Sequence, residues 1–518
     1  VHSRRFFRYQ PSRTGTVVTI LFYCDYLSTE WEKESNERAH DVCRSNSGVI
    51  LNPIWMSREQ PVICTNIFRG CYMLTVFKFL MHASVAIFIL SCCPDGAVAF
   101  QWPQFGGPQR DFTLDREPFN TPEFSVTQLW QIEIGVGKSE LVIDNSSVYV
   151  CFRKDKPADE SADNTKYWEG VAALDRQTGA QRWVYQYDCS DLEEQQSFSG
   201  DPRASQATPV IAGDWIFTLG FTGRLVCLNK SSGKVVWEKD LVADEQIMAE
   251  PVQFGFSASP VVVDGRLIIY AGGAKRGLMC LNLSDGSEVW SCDCGEATYA
   301  TPVITTLCGK QQIVIVSAKE ILSVDSQTGE ILWRSDLLEP GLTNVPCPLP
   351  VGNDLLLISG QGAKGTYCLE ITNSHDSWTA RQVWKTVRPQ FFYCNWIPIE
   401  KGNVALGCTE TMMMAISTAD GKLKGRWRGF GNGNLLRLND QILCVNGEGD
   451  LSLISIGPGG LTQEFECGLI NGRVWAAPTL VDDQLFLRTG KKVAGYRIMP
   501  NGELHNSLDA PETLEYRD

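Results

Sequence analysis

A chain of 518 residues with 43% apolar and 20% charged side chains can bury a sizeable core, and nothing in its composition points to disorder. Its formal charge is −14, and the first 99 residues hold 10 basic and 8 acidic side chains, so the remainder carries −16, which argues against a general nucleic-acid binder. Of five histidines only His375 and His505 lie beyond residue 100, so a histidine-ligated metal, a Ser-His-Asp triad or a histidine-bound haem is hard to build; no Cys-x-x-Cys-His is present for covalent haem.

Residues 1–72 show no sustained period and suggest no fold. Lys78 precedes the apolar run 79–90, and Ala97-Val-Ala99 follows, so residues 73–99 read as a secretory signal cleaved after Ala99. The apolar run is short for a membrane span. Met73 or Met81 is then the expected start of translation. Residues 100–126 read as a lead-in, 127–498 as a repeat region and 499–518 as a tail.

The repeat is clearest at Ile321-Leu-Ser-Val-Asp-Ser-Gln-Thr-Gly-Glu-Ile-Leu-Trp333. Two short apolar strands flank a turn in which Asp325 can accept amide hydrogens and Gly329 supplies a left-handed conformation. The same strand, turn and aromatic strand end at Trp183, Trp237, Trp290, Trp384 and Trp427, and at Phe465 with phenylalanine in place of tryptophan. The aromatic residues recur every 38 to 54 positions, the period of a four-stranded propeller blade. An upstream half precedes several copies, as in Ala258-Ser-Pro260 and Val261-Val-Val, Asp264-Gly265, then Leu267 to Tyr270; it recurs at Ala207-Thr-Pro209, Ala300-Thr-Pro302 and Ala477-Pro478. No stretch holds a helical period, so the region is all-β. After Pro478 three strands follow without an aromatic one, whereas Trp130 lies on a strand with no hairpin before it. Joining them closes an eight-bladed β-propeller and removes exposed edges; seven blades is the alternative.

The Asp-x-x-Thr-Gly-x-x-x-Trp hairpins at Asp175–Trp183 and Asp325–Trp333 resemble the repeat of the pyrroloquinoline-quinone-like (PQQ-like) β-propellers. Trp102-Pro-Gln-Phe-Gly-Gly-Pro-Gln-Arg-Asp111 resembles the opening of secreted bacterial members. The resemblance spans roughly residues 102–498 and implies the fold more than the function, because such propellers include enzymes, assembly scaffolds and sensor domains. Its quinone enzymes hold calcium and the quinone on the axis, with an aspartate base and an adjacent-cysteine ring. Here the one adjacent pair, Cys92-Cys93, falls in the signal segment. The expectation is therefore no catalytic, cofactor or metal residue, with a PQQ- and calcium-dependent dehydrogenase as the alternative and a propeller like those attached to Ser/Thr kinases as another.

The cysteines fit packing better than chemistry. Cys227, Cys280 and Cys368 share a repeat position that Ala173, Ser323 and Ala415 fill elsewhere, so it needs a small side chain. Cys292-x-Cys294 lacks a second pair, and Gly135-Val-Gly-Lys-Ser139 lacks the first glycine and the helix of a phosphate loop. Function is expected on the links from each aromatic strand to the next blade. These carry Arg203, Gln206, Phe254, Tyr299, Asn344, Asn395, Trp396, Asn432, Arg473 and Trp475, with Phe256 and Tyr393 beside them. The resulting expectation is an exported bacterial module, a monomeric ring that binds a protein partner in the cell envelope, with no nucleic acid and no transmembrane span. The family's barrel-assembly lipoprotein is the functional type it resembles.

Overall fold

The Asp325 turn forms as its residues dictate. Asp325 Oδ1 accepts the amides of Gln327 and Thr328 at 2.7 and 3.2 Å, and Gly329 has φ of +73°. In the computed structural model strand Ile321–Asp325 then pairs with Ile331–Ser335, placing Trp333 opposite Ser323. The structure describes residues 101–119, 124–156, 167–189, 205–244, 255–272, 276–339, 344–457 and 460–499; the signal segment 73–99, residues 1–72 and all but Met499 of the tail lie outside them.

The architecture is an eight-bladed β-propeller with each blade a four-stranded antiparallel meander. Blades 1 to 7 have inner strands Val142–Ile143, Val210–Ala212, Val261–Val263, Val303–Leu307, Leu349–Val351, Ile397–Ile399 and Asn434–Leu438. Blade 8 takes Thr479–Val481, Gln484–Arg488 and Lys492–Met499 from the end of the chain, and its outer strand, Ser125–Glu133, from the beginning. That pairing runs from Ser125 opposite Met499 to Glu133 opposite Lys492. The ring is thus closed by the displaced Trp130 strand, with eight blades rather than seven. The second and third strands of each blade are almost wholly buried; outer strands such as Val235–Asp240 alternate between exposed and half-buried.

The aromatic residue of one blade covers the turn of the next. A Cβ on Gly233 would sit 2.6 Å from the Trp183 ring, and the Trp183 indole N–H donates to the Lys230 carbonyl at 2.9 Å. Trp130, Trp237 and Trp384 repeat the arrangement, donating to the carbonyls of Arg176, Leu283 and Thr418. The ring of Trp290 lies on Gly329. Within four hairpins the aromatic side chain faces a small one: Trp183 opposite Ala173, Trp237 opposite Cys227, Trp290 opposite Cys280 and Trp384 opposite Cys368. Those three thiols are at most 1% exposed, as a packing role requires.

Blade 6 corrects one sequence alignment. Gly425, not Trp427, stands opposite Ala415; Trp427 lies two residues further on, opposite Met413. Its ring folds back over Gly425, where a Cβ would come within 2.2 Å of it. A ring of the same kind therefore fills the position from a different backbone residue. Phe465 faces Leu453 in blade 7 and packs edge-on against Phe124, with ring centroids 4.9 Å apart.

A second set of bonds stitches the inner strands together around the axis. The hydroxyl in each Ala-Ser/Thr-Pro step accepts an amide from the preceding blade: Glu140 N–H to Thr208 Oγ1, Thr208 N–H to Ser259 Oγ and Ser259 N–H to Thr301 Oγ1, at 2.9 to 3.0 Å. The proline that follows has no amide to satisfy.

The lead-in has a structural role that its sequence did not disclose. Trp102 is fully buried and exchanges backbone hydrogen bonds with Ile143 of blade 1. The Pro103 carbonyl accepts from Ile211 of blade 2, Arg110 Nη2 donates to the Val262 carbonyl of blade 3, and Thr113–Leu114 pairs in parallel with Arg437–Leu438 of blade 7. Residues 102–114 thus cross the axis at the end where the hairpin turns lie. Gly107 has φ of +79° and fits because a Cβ would strike the Trp102 ring at 2.8 Å.

Candidate functional site

Because strands alternate in direction, the hairpin turns share one face of the ring and the outer-to-inner links share the other. The turn face is closed at its centre by residues 102–114. The link face opens on a cluster drawn from three separate links. The Trp475 ring, from the link between blades 7 and 8, meets Tyr393 edge-on from the link between blades 5 and 6, at 5.2 Å between centroids. The Arg473 guanidinium lies 4.0 Å and the Lys138 ammonium 4.7 Å from the centre of the same ring, within cation–π range. Tyr393 is 44% exposed, Arg473 is exposed, and Lys138 and Trp475 are half-buried.

The support beneath Lys138 is rigid. Its amide donates to the Ser205 carbonyl, and the Gly137 amide donates to Gly490. Under this link the Arg488 guanidinium is 2% exposed and donates to Ser139 Oγ at 2.8 Å. Burial pushes its pKa down to about 10. A Cβ on Gly137 would lie 1.7 Å from Arg488 Nη2, so only glycine lets the link lie flat on the guanidinium. Lys138 joins the cluster without having been singled out in the sequence as a binding residue; the rejected Gly-Val-Gly-Lys-Ser pattern contained it.

The structure separates the other sequence candidates. Asn344 is 1% exposed and its Oδ1 accepts the Gly362 amide at 3.1 Å. Asn395 Oδ1 accepts the Cys347 amide at 2.8 Å, taking over in blade 6 the stitch that a hydroxyl makes elsewhere. Trp396 is 2% exposed and packs edge-on against Phe391, centroids 4.3 Å apart. Asn344 and Trp396 are buried in the wall, whereas Asn395 is half-buried and lines the axial cavity. Tyr299, Gln206 and Asn432 are half-buried on the link face, and the Asn432 amide donates to the Thr409 carbonyl. Phe256 is buried against blades 2 and 3. Arg203 and Phe254 lie outside the described residues.

Behind the mouth, between residues 104–112 and the inner strands of blades 3 to 6, is an axial cavity of about 210 Å³. Gln104, Arg110, Asp111, Thr301, Cys347 and Asn395 contribute its polar wall. A calcium ion there would need six to eight oxygen ligands. Asp111 is the one carboxylate among the lining residues, and its Oδ1 already accepts from the Thr113 amide and hydroxyl at 3.0 and 2.7 Å. Among the described residues no group of three or more His, Cys, Asp or Glu is arranged to hold a metal. The donor set does not fit a calcium-held quinone. Glu140, nearby, is buried, accepts the Gly106 amide at 3.0 Å, and has its pKa raised by that burial to about 8.

Residues 169–422 match the PQQ_2 family model, described as outer membrane protein assembly factor BamB. BamB of Alkalilimnicola ehrlichii is 27% identical over 157 residues, covering 30% of this chain and 38% of that protein. The quinoprotein alcohol dehydrogenase PedH of Pseudomonas putida is 30% identical over 130 residues, covering 24% of this chain and 20% of that protein. The chain thus matches well under half the length of either relative. Among solved structures, quinohemoprotein alcohol dehydrogenase ADHIIG from Pseudomonas putida HK5 superposes with a TM-score of 0.54 at 12% identity, over 80% of this chain and 82% of that one. That likeness is one of fold. Among the described residues no helix is long and apolar enough to cross a membrane.

Proposed function

We propose, for a chain that is a β-propeller of PQQ-like repeats, that it is an exported, non-catalytic module that binds a protein partner in the cell envelope through its link face. The observation that carries this reading is the Tyr393–Trp475–Arg473–Lys138 cluster. It converges from three links, is open to solvent, and stands on links fixed from below by Arg488 and the axial stitches. Aromatic and arginine side chains on a rigid base are the groups that anchor protein interfaces, and two cations on one indole favour an acidic patch on the partner. The relatives named as outer membrane protein assembly factors support the envelope and protein-binding parts of the reading. An axial wall with Asp111 as its one carboxylate offers the dehydrogenase reading few oxygen ligands for calcium.

The test is binding of the purified chain to the soluble region of an outer-membrane barrel-assembly component, compared with Trp475→Ala and Arg473→Ala. A hot-spot role lowers affinity at least about tenfold for Trp475→Ala. Unchanged affinity in a folded variant overturns the assigned face. Dye-linked alcohol oxidation after addition of PQQ and calcium would overturn the non-catalytic reading.

A further inference from the structure

Three thiols that the repeat does not account for meet just beneath the link face. Cys394 comes from the link into blade 6, Cys408 from the end of its second strand, and Cys444 from the second strand of blade 7. All are buried in one cluster with Phe430. The Cys408 amide donates to Cys394 Sγ at 3.3 Å. A Cβ on Gly433 would lie 3.0 Å from Cys444 Sγ and 3.1 Å from Cys408 Sγ, so both sulfurs turn into the space that this glycine leaves. Burial among these thiols raises the Cys408 pKa well above the ordinary thiol value.

We propose that Cys394 and Cys408 form a reversible disulfide, written by thiol–disulfide exchange with a small disulfide of the glutathione class, while Cys444 stays a thiol. The choice of pair follows from backbone freedom. Cys408 and Cys444 are both fixed in antiparallel ladders, opposite Met413 and opposite Leu435 and Ser452. Cys394 lies on an irregular link and its sulfur already accepts the Cys408 amide, so its backbone is the freer one to adopt a disulfide's narrow geometry. The Cys394 thiolate attacks the small disulfide, giving a mixed disulfide and releasing one small thiol. Cys408 then attacks Cys394 Sγ, its proton passing to the departing thiolate, which leaves as the second small thiol. Two electrons pass from the protein thiols to the small disulfide.

Oxidation has a local consequence. The reduced Cys394 S–H donates to the Asn395 carbonyl at 3.0 Å, and a disulfide removes that donor. Cys394 is also the residue next to Tyr393, so the bond acts on the segment that carries one ring of the link-face cluster.

The test equilibrates the purified full chain in a series of reduced and oxidised glutathione buffers, then acidifies, alkylates in denaturant and maps peptides by mass spectrometry. A parallel arm refolds the chain from urea in the same buffers, so that burial of the sulfurs does not limit access. The expected result is a Cys394–Cys408 linked peptide that grows with the oxidised fraction and disappears on reduction, with Cys444 alkylated throughout. Cys394 and Cys408 alkylated at every ratio in both arms, or Cys408 linked to Cys444, would overturn the proposal. A thermal midpoint that falls by several degrees on reduction should keep that response in Cys444→Ala and lose it in Cys394→Ser. Neither readout involves a partner, so their outcome is independent of the binding proposed for the mouth.

Discussion

The Trp333 indole N–H donates to Gln312 Oε1 at 2.9 Å inside its own blade, whereas Trp130, Trp183, Trp237 and Trp384 donate to a carbonyl of the following blade. The following blade explains the exception. Its hairpin is longer, turning through His375 and Asp376 rather than through the Asp-to-Gly turn, so no glycine turn lies under Trp333. Gln312 replaces it: fully buried, its Oε1 also accepts Ser323 Oγ and its Nε2 donates to the Leu307 carbonyl. Gln312→Leu leaves the Trp333 N–H and the Ser323 hydroxyl without that acceptor and should cost about 2–4 kcal/mol in urea unfolding. Trp183→Phe, which gives up one bond at a partly exposed seam, should cost closer to about 1 kcal/mol.

Two glycines with similar backbones separate conformational strain from packing. Gly213 has φ of +59° with open space where a Cβ would go, and Gly233 has φ of +68° with the Trp183 ring 2.6 Å away. Gly213→Ala is expected to cost about 1 kcal/mol, the left-handed strain alone. Gly233→Ala adds overpacking of about 1–3 kcal/mol, and should also increase the exposure of Trp183 measured by fluorescence quenching.

Glu140 sets a pH dependence. Its folded pKa of about 8 exceeds the ordinary 4.5, so between those values the folded chain holds a proton that the unfolded chain has lost. Stability from this group is complete below pH 4.5 and is lost as pH rises through about 8. Glu140→Gln should match the native chain near pH 4.5 and exceed it near pH 9 in denaturant midpoint. Parallel curves for the two proteins would refute the assignment.

Trp102 should hold the axial segment in place. Trp102→Ala removes a fully buried indole and is expected to cost about 3–5 kcal/mol. Hydrogen exchange should show where: the amides of Ile143 and Ile211, which bond the Trp102 and Pro103 carbonyls, lose protection before those of blades 4 and 5.

The amino-acid sequence by itself determined the ring. Hairpin chemistry is local: an aspartate, a left-handed glycine and an aromatic residue at fixed spacing specify a turn wherever they occur, and their count gave the blades. The unmatched Trp130 strand and the three strands after Pro478 were enough to infer the closure, because each alone would leave an edge. Local spacing failed at Trp427, where a ring reaches its position from two residues away. The site was only half legible. Arg473, Trp475 and Tyr393 could be named from their places on the links, but Asn344 and Trp396 occupy links of the same kind and are buried. Which way a link residue points depends on the packing it meets once the ring is folded, such as Phe391 for Trp396 and Cys347 for Asn395. Lys138 beside Trp475 and the crossing of the axis by residues 102–114 are contacts between distant segments. Only the tertiary structure decided them, because no local spacing encodes which blades lie next to one another across the ring.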